Sequence, residues 1–138
     1  MFKIMRINAY LLVVSVFLST GAAMAEQPVW HDIGRSDEDK SRHIFIDLKN
    51  IKRKGNIAQF WSLVDYNEPV TGPEGVIWSM VSYEEIDCEN NISSLKYLVG
   101  WSEKGANGKI IVQGDPQHFS KQIVPGTVPD MKRDFVCK

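Results

Sequence analysis

Two cysteines, Cys88 and Cys137, constrain this chain more than any other feature of its 138 residues. In an oxidising compartment an even number of cysteines is typical of a disulfide. The bridge would close a loop of about 50 residues, which the chain-entropy model credits with roughly 4 kcal/mol of stability. A metal site is the alternative, but it needs partner ligands at short spacing, and neither cysteine has one. The sequence therefore predicts a Cys88–Cys137 disulfide.

The oxidising compartment is indicated by the first 25 residues, which have the pattern of a secretory signal peptide. Lys3 and Arg6 precede an apolar run over 9–18, and small residues then lead to Ala23 and Ala25, the −3 and −1 positions that signal peptidase reads. A transmembrane anchor is the alternative. It is weaker, because a span takes about 20 predominantly apolar residues and this stretch becomes small and polar towards its end.

Cleavage after Ala25 would leave a single domain, which we divide into an N-terminal arm (26–42) and a domain over 43–138. We expect export to the periplasm, with secretion or surface display as alternatives. A lipid anchor is not expected, because the cleavage site carries no cysteine. The chain has 16 basic residues, two of them in the leader, against 17 acidic ones. That balance argues against nucleic-acid binding, which requires a strongly basic face.

Alternating apolar residues separated by turn signals predict a series of β-strands. In the run 95–101, for example, Leu95, Tyr97, Val99 and Trp101 share one side. The predicted strands are 43–48, 57–66, 76–88, 95–101, 109–113 and 119–124. Between them we expect a charged turn at 52–56, a loop at 69–75 and a hairpin at 105–108, where Asn-Gly favours a tight turn.

A short amphipathic helix is predicted over 128–137. Pro129 suits the first helical turn, Asp130 lies favourably at the positive end of the helix dipole, and Val128, Met131 and Phe135 fall on one face. About ten residues are marginal as an isolated helix in water. A disulfide from Cys137 would hold the helix on the strand that ends at Cys88.

The expected fold class is therefore α+β and mostly β, with an antiparallel sheet of about five to six strands and a C-terminal helix disulfide-linked to it. Such a sheet would be wider than 20 Å, whereas one helix is about 10–12 Å across. The face away from the helix must curl on itself, take the N-terminal arm, pair with a second copy or stay open for a partner. Alternation assigns Trp78, Met80, Ile86 and Cys88 to the helix side, and the candidates for the other face are Phe45, Phe60, Tyr66, Ile77 and Val81.

Several stretches resemble the surface-adhesin protein E family of exported bacterial proteins. They are Phe45-Ile46-Asp47 with Asn50-Ile51, Gly55-Asn56 leading into 60–66 (FWSLVDY), 82–88 (SYEEIDC), and 123–127 (IVPGT) running to Val136-Cys137. The resemblance spans about residues 43–138. It implies a sheet of about six antiparallel strands with a disulfide-linked C-terminal helix, and a role in binding host matrix proteins. Surface-anchored members carry a lipoprotein cysteine that this chain lacks.

No catalytic or metal-binding pattern stands out in the sequence, and no cofactor is expected. The three histidines, His31, His43 and His118, are dispersed. The acidic cluster Glu84, Glu85, Asp87 and Glu89 is interpreted as a solvated strand end, with general acid/base or calcium chemistry as the alternative. Alternation sends Glu84 to one side of the strand and Glu85 and Asp87 to the other.

The basic run of Lys49, Lys52, Arg53 and Lys54 is the candidate partner-binding site. The alternative is a solvated hairpin tip; the sharper interpretation is an anion-binding tip for a sulfated glycan, a lipopolysaccharide phosphate or an acidic protein. The four tryptophans are interpreted mainly as core, with an aromatic binding face as the alternative.

The sequence thus predicts a non-enzymatic exported binding domain that holds a protein or glycan partner, with a host matrix protein among the candidates. Two other classes stay open. One is an envelope assembly protein that works as a homodimer through the uncovered sheet face, and the other is a small hydrolase or redox enzyme.

Overall fold

The computed structural model describes residues 26–36, 41–117 and 119–138. The predicted leader and His118 lie outside these ranges. Within them the chain forms eight strands and one α-helix, and a 3-10 turn at Leu48–Asn50 follows the second strand. In chain order the elements are β1 (Trp30–Gly34), β2 (Arg42–Asp47), β3 (Lys52–Lys54), β4 (Ile57–Gly72), β5 (Gly75–Asp87), β6 (Ile92–Glu103), β7 (Asn107–Gly114), β8 (Phe119–Gln122) and α1 (Val128–Val136).

All eight strands belong to one open antiparallel sheet. Its main path runs β1-β2-β4-β5-β6-β7, while β3 pairs with β4 and β8 pairs with β6. The mostly-β α+β class is confirmed, and the six predicted strands correspond to β2 and β4 to β8. The two additional strands, β1 and β3, are short.

Strand β3 occupies most of the segment that we predicted to be a charged turn. Lys52, Arg53 and Lys54 pair with Gln59, Ala58 and Ile57 of β4, so the turn itself is only Gly55-Asn56. Gly55 adopts φ 58°, a left-handed conformation that glycine tolerates without a Cβ clash. The three consecutive charges of β3 gave no strand pattern in the sequence, because an exposed edge strand needs no apolar face.

Strands β4 and β5 form a long hairpin at the centre of the sheet. The predicted loop at 69–75 is wrong: β4 continues to Gly72, and the turn is Pro73-Glu74. Pro69 lies between Asp65 and Val70, where the register with β5 shifts. At such an irregularity a proline removes no ladder hydrogen bond, so it does not end the strand.

The predicted β6–β7 hairpin is confirmed, with its turn at 104–106. Gly105 and Ala106 take positive φ values of 72° and 58°. Asn107 is already the first residue of β7, so the turn lies slightly earlier than the Asn-Gly pair suggested.

The C-terminal helix is confirmed, and the disulfide joins it to the sheet. Cys137 follows the last helical residue and Cys88 follows β5; their sulfurs are 2.03 Å apart and their Cα atoms 5.7 Å apart. At the other end of the helix, the Asp130 carboxylate accepts a hydrogen bond from the Gly126 N–H at 2.8 Å. Both ends of α1 are therefore fixed by local contacts.

The core lies between α1 and one face of the sheet. Its buried members are Ile46, Ala58, Phe60, Ile86, Ile123 and Val136. The assignment of Ile86 and Cys88 to the helix side is therefore confirmed. The assignment of Phe60 to the opposite face is wrong, because Phe60 pairs with Glu84 across the ladder and so shares its side with Ile86. By alternation along β4, Tyr66 lies on the same side as Phe60, so its assignment to the opposite face is also wrong.

Candidate binding site

The sheet face opposite α1, called here the open face, carries two rows of cross-strand neighbours. One row is Phe45, Leu63, Val81 and Val99, and the other is Trp61, Tyr83 and Tyr97. Residues directly opposite in an antiparallel ladder share one side of the sheet and pack together. The prediction that Phe45 and Val81 lie on this face is confirmed.

One end of the open face is closed by the β6–β7 turn. The Gly105 N–H donates to the Asp65 carboxylate at 2.7 Å, and the Ala106 N–H donates to the Ser79 hydroxyl at 3.0 Å. The Ser79 hydroxyl in turn donates to the carbonyl of Glu103 at 2.5 Å. The sheet therefore curls on itself at this end, one of the arrangements that its width required.

The other end of the open face holds a cavity of about 530 Å³, called here the aromatic cavity. The N-terminal segment forms one wall, the chain from Asp47 to Lys52 forms the rim, and β4 and β5 form the floor. Its lining residues are Glu26, Pro28, Trp30, Asp47, Asn50, Lys52, Trp61, Val81 and Tyr83.

The floor and wall of the aromatic cavity are built from ring systems. Trp61 and Tyr83 are direct ladder partners, and their ring centroids lie 4.9 Å apart with an interplanar angle of 40°. Trp30 joins them from β1, where it pairs with Asp47 of β2. All three side chains are half-buried, so each ring packs on its neighbours and still presents an edge or face to the cavity.

The carboxylates at the rim are already engaged within the protein. Asp47 is 1% exposed, and its two oxygens accept hydrogen bonds from the Val29 N–H at 3.4 Å and from the Asn50 amide at 2.6 Å. Glu26 forms an ion pair with Lys49 at 2.9 Å. The hydrogen bond to Glu26 raises the pKa of Lys49 above its ordinary value.

Two other polar side chains of the cavity, Lys52 and Tyr83, have no such partner in the part of the chain that the structure describes. Among the described residues, neither the Lys52 ammonium nor the Tyr83 hydroxyl is hydrogen-bonded or ion-paired to another side chain. Both groups lie at the cavity, and Lys52 is exposed. Both groups can therefore donate hydrogen bonds to a ligand, and one of them is cationic.

The basic run does not form a single patch. Lys49 pairs with Glu26, and Arg53 donates to the backbone carbonyl of Val136 at 2.9 Å, at the negative end of the helix dipole. Alternation along β3 places Lys52 and Lys54 on the side opposite Arg53. Of the four residues, Lys52 alone lines the aromatic cavity.

Glu84, by contrast, lies under α1 in a buried polar cluster. Its carboxylate accepts hydrogen bonds from the Lys132 ammonium at 2.5 Å and from the Ser62 hydroxyl at 2.7 Å. Lys132 also donates to Ser62 at 3.0 Å. The interpretation of Glu84 as part of a solvated strand end is wrong, whereas its separation from Glu85 and Asp87 by alternation is confirmed.

The other acidic residues of the cluster have separate structural partners. Glu85 accepts from Gln59 at 3.0 Å. Asp87 accepts from the amide and backbone N–H of Asn90 at 2.8 and 2.9 Å, which lowers the pKa of Asp87. The Asp87 contacts shape the β5–β6 turn, whereas the Glu85 contact joins β4 and β5.

The two described histidines are also apart. His31 packs its ring 6.2 Å from that of Phe135 on the helix side. His43 is 2.7 Å from Asp32 on the open face. Desolvation raises the pKa of Asp32, but the hydrogen bonds from the Gly34 N–H and from His43, with the nearby histidine charges, together lower it more, so that its pKa lies below the ordinary value.

The tryptophans divide between packing and the cavity. Trp30 and Trp61 line the aromatic cavity, whereas Trp78 lies beneath the Lys104 ammonium, 5.8 Å from its ring centroid. Trp101 buries its indole N–H without a hydrogen-bond partner in the described part of the chain. Alternation places Trp61 and Tyr83 on the same face of the sheet, but the register of the β4–β5 hairpin is also needed to make them neighbours.

A model of the surface-adhesin protein E family matches residues 30–138 of this chain. The chain belongs to that family. The match includes β1, which precedes the stretches that carried the resemblance in the sequence. Among curated protein sequences, none matches the chain significantly.

Solved structures of Haemophilus influenzae protein E share the fold of this family member. The second crystal form is 16% identical, with 82% of this chain and 90% of that chain covered and a TM-score of 0.57. Protein E from the non-typeable bacterium is 15% identical, with 83% and 78% covered and a TM-score of 0.54. At such low identity the likeness establishes the fold alone.

Membership of the protein E family identifies the chain as an exported adhesin-type protein whose role is binding. None of the helices in the described residues is long and apolar enough to cross a membrane. In the same part of the chain, histidine, cysteine and carboxylate side chains form no cluster of three or more that could hold a metal ion.

Proposed function

We propose that this chain is a non-enzymatic binding domain that holds a protein or glycan partner on its open face. Matrix proteins of a host are one candidate class of partner. The observation that carries the proposal is the asymmetry of the sheet: α1 covers one face, while the other leaves half-buried aromatic side chains around a cavity of about 530 Å³.

Aromatic residues at the centre of a surface are typical of binding interfaces, because they bury a large area and lose little conformational entropy. Tyr97 remains 36% exposed beside Tyr83. Lys52 and Lys54 border the same face and supply exposed positive charge. From the basic run we therefore propose Lys52 as the direct partner contact, with Lys49 and Arg53 holding the surrounding structure and Lys54 outside the cavity.

The open face can be tested by changing Tyr97 to arginine. We expect Tyr97→Arg to weaken partner binding by about tenfold or more, because a bulky charge would replace an aromatic contact. The measurement is surface plasmon resonance of residues 26–138 against a panel of purified matrix proteins and glycans. The unchanged protein should bind at least one member of the panel.

Val124→Arg is the matched control, since Val124 is 57% exposed and lies on the chain that enters α1. It adds the same charge at an exposed apolar position away from the open face, and binding should stay within about twofold of the unchanged protein. Equal losses in the two variants, or no binding to any member of the panel, would refute the proposal.

We also propose export by a leader that is removed after Ala25. Mass spectrometry of the protein from the periplasmic fraction should find Glu26 at its N-terminus, because Ala23 and Ala25 satisfy the signal-peptidase preference for small residues. An intact N-terminus in the membrane fraction would contradict this prediction.

A further inference from the structure

We infer that the aromatic cavity binds an acidic saccharide, with a sugar ring against Trp61 and Tyr83 and its anionic group at Lys52. This inference rests on the proposed function and deepens it, because it names a ligand class and a position on the open face. Three observations support it: the shape of the cavity, the rings that line it and the polar groups that it leaves available.

The shape favours a small ligand or a single residue of a chain. A cavity of about 530 Å³ falls within the range of small-molecule sites, roughly 300–1,000 Å³. It lies between the N-terminal segment and the sheet, so two separate parts of the chain would contact the ligand. A flat protein surface would leave this space unfilled.

The rings provide the apolar part of the site. A pyranose presents C–H groups on one face and hydroxyl groups around its edge, so it can pack on an aromatic ring while its edge meets polar side chains. The tilted pair of Trp61 and Tyr83 forms such a floor, and Trp30 forms a side wall. The indole and phenol groups combine an apolar body with a polar tip, which matches this division of the ligand.

The polar groups select for an anion. Both oxygens of Asp47 accept hydrogen bonds within the protein, and Glu26 is paired with Lys49. The Lys52 ammonium and the Tyr83 hydroxyl are left as donors among the described groups. Hydrogen bonds between charged donors and anionic acceptors are stronger than neutral ones, so a carboxylate or sulfate on the sugar would complement the cavity better than a hydroxyl.

The proposed cleavage after Ala25 would strengthen this selection. Glu26 already lines the aromatic cavity, and cleavage would turn its backbone nitrogen into an α-ammonium group. The mature chain would then carry a second positively charged group beside the cavity. The precursor would lack that charge.

The test is isothermal titration calorimetry of residues 26–138 with three tetrasaccharides. Hyaluronan supplies carboxylates, chondroitin sulfate supplies carboxylates and sulfates, and chitotetraose is neutral. We expect both acidic sugars to bind at least about tenfold more tightly than chitotetraose, the difference of roughly 1.4 kcal/mol that one charge-assisted hydrogen bond provides. Preference between the two acidic sugars identifies carboxylate or sulfate as the recognised group.

Two pairs of matched variants separate the cavity from general charge attraction. Lys52→Met should weaken hyaluronan binding by about tenfold, whereas Lys54→Met removes the same charge from the same strand outside the cavity and should change it less than about twofold. Trp61→Leu should likewise cost about tenfold, while Trp78→Leu should cost little.

Equal losses in Lys52→Met and Lys54→Met would overturn the inference, as would equal binding of chitotetraose and hyaluronan. The protein could instead bind no acidic sugar but bind a matrix protein, and Tyr97→Arg could abolish that binding. This result would refute the inference and leave the proposed function standing. If no partner in the panel binds either, both proposals fail.

Discussion

Replacing Glu84 by glutamine should lower the free energy of unfolding by about 3–5 kcal/mol, the usual cost of removing one partner from a buried ion pair. The side chains of Lys132 and Glu84 are only 6% and 8% exposed. Glutamine fills the same space but carries no charge, so the Lys132 ammonium would remain buried with only neutral hydrogen-bond partners. Urea denaturation followed by circular dichroism measures the difference.

Glu85→Gln is the matched control for this prediction. Glu85 is the next residue along β5, points to the opposite face and is half-exposed, so its loss should change stability by less than about 1 kcal/mol. The double variant Glu84→Gln/Lys132→Met should be more stable than Glu84→Gln alone, because it removes the uncompensated charge. If Glu84→Gln and Glu85→Gln unfold at the same urea concentration, the buried pair does not stabilise the fold.

The position of Lys132 shows where sequence reasoning reaches its limit. The helix and its disulfide follow from local signals: Pro129 and Asp130 at its start, and a cysteine at its end. The identity of the buried face of the helix does not follow from these local signals. We placed Val128, Met131 and Phe135 on one face; Phe135 does pack against the core, but the buried side chains of the helix are Lys132 and Val136. A lysine is expected to be solvent-exposed unless a buried partner is known. The partner of Lys132 is Glu84, which is 48 positions away in the chain.

The central strands were predictable because alternation and turn residues are local properties of the sequence. Strand β1 was not, since its surroundings in the sequence are mostly polar and Trp30–Gly34 form a strand by pairing with β2. The aromatic cavity was missed for the same reason: it requires Trp30 of β1 to meet Trp61 of β4. Lys52 could be singled out from its charge, but its separation from Arg53 depended on β3 being a strand.

Loss of the disulfide is the second change with a large expected effect. The double variant Cys88→Ser/Cys137→Ser should lower the free energy of unfolding by about 2–4 kcal/mol, because a crosslink between residues 49 positions apart restricts the unfolded chain. Reduction of the unchanged protein with dithiothreitol should give the same loss. Urea denaturation with and without reductant measures both.

Dithiothreitol should leave the double serine variant unaffected, which separates loss of the bridge from the effect of the reagent. Retention of full stability by the reduced protein would contradict the prediction. It would mean that the Lys132–Glu84 pair and the Arg53 hydrogen bond to Val136 hold α1 unaided.

Hydrogen exchange can show where the disulfide acts. A helix of nine residues is marginal by itself, so in the reduced protein the amides of α1 should exchange faster than those of β4 and β5 in their central hairpin. That pattern means that the bridge mainly keeps the helix docked, in addition to restricting the unfolded chain. Because the open face lies on the other side of the sheet, undocking of α1 should leave the aromatic cavity formed. Uniform acceleration across β4, β5 and α1 would instead show that helix and sheet unfold as one unit, and the cavity would then depend on the disulfide as well.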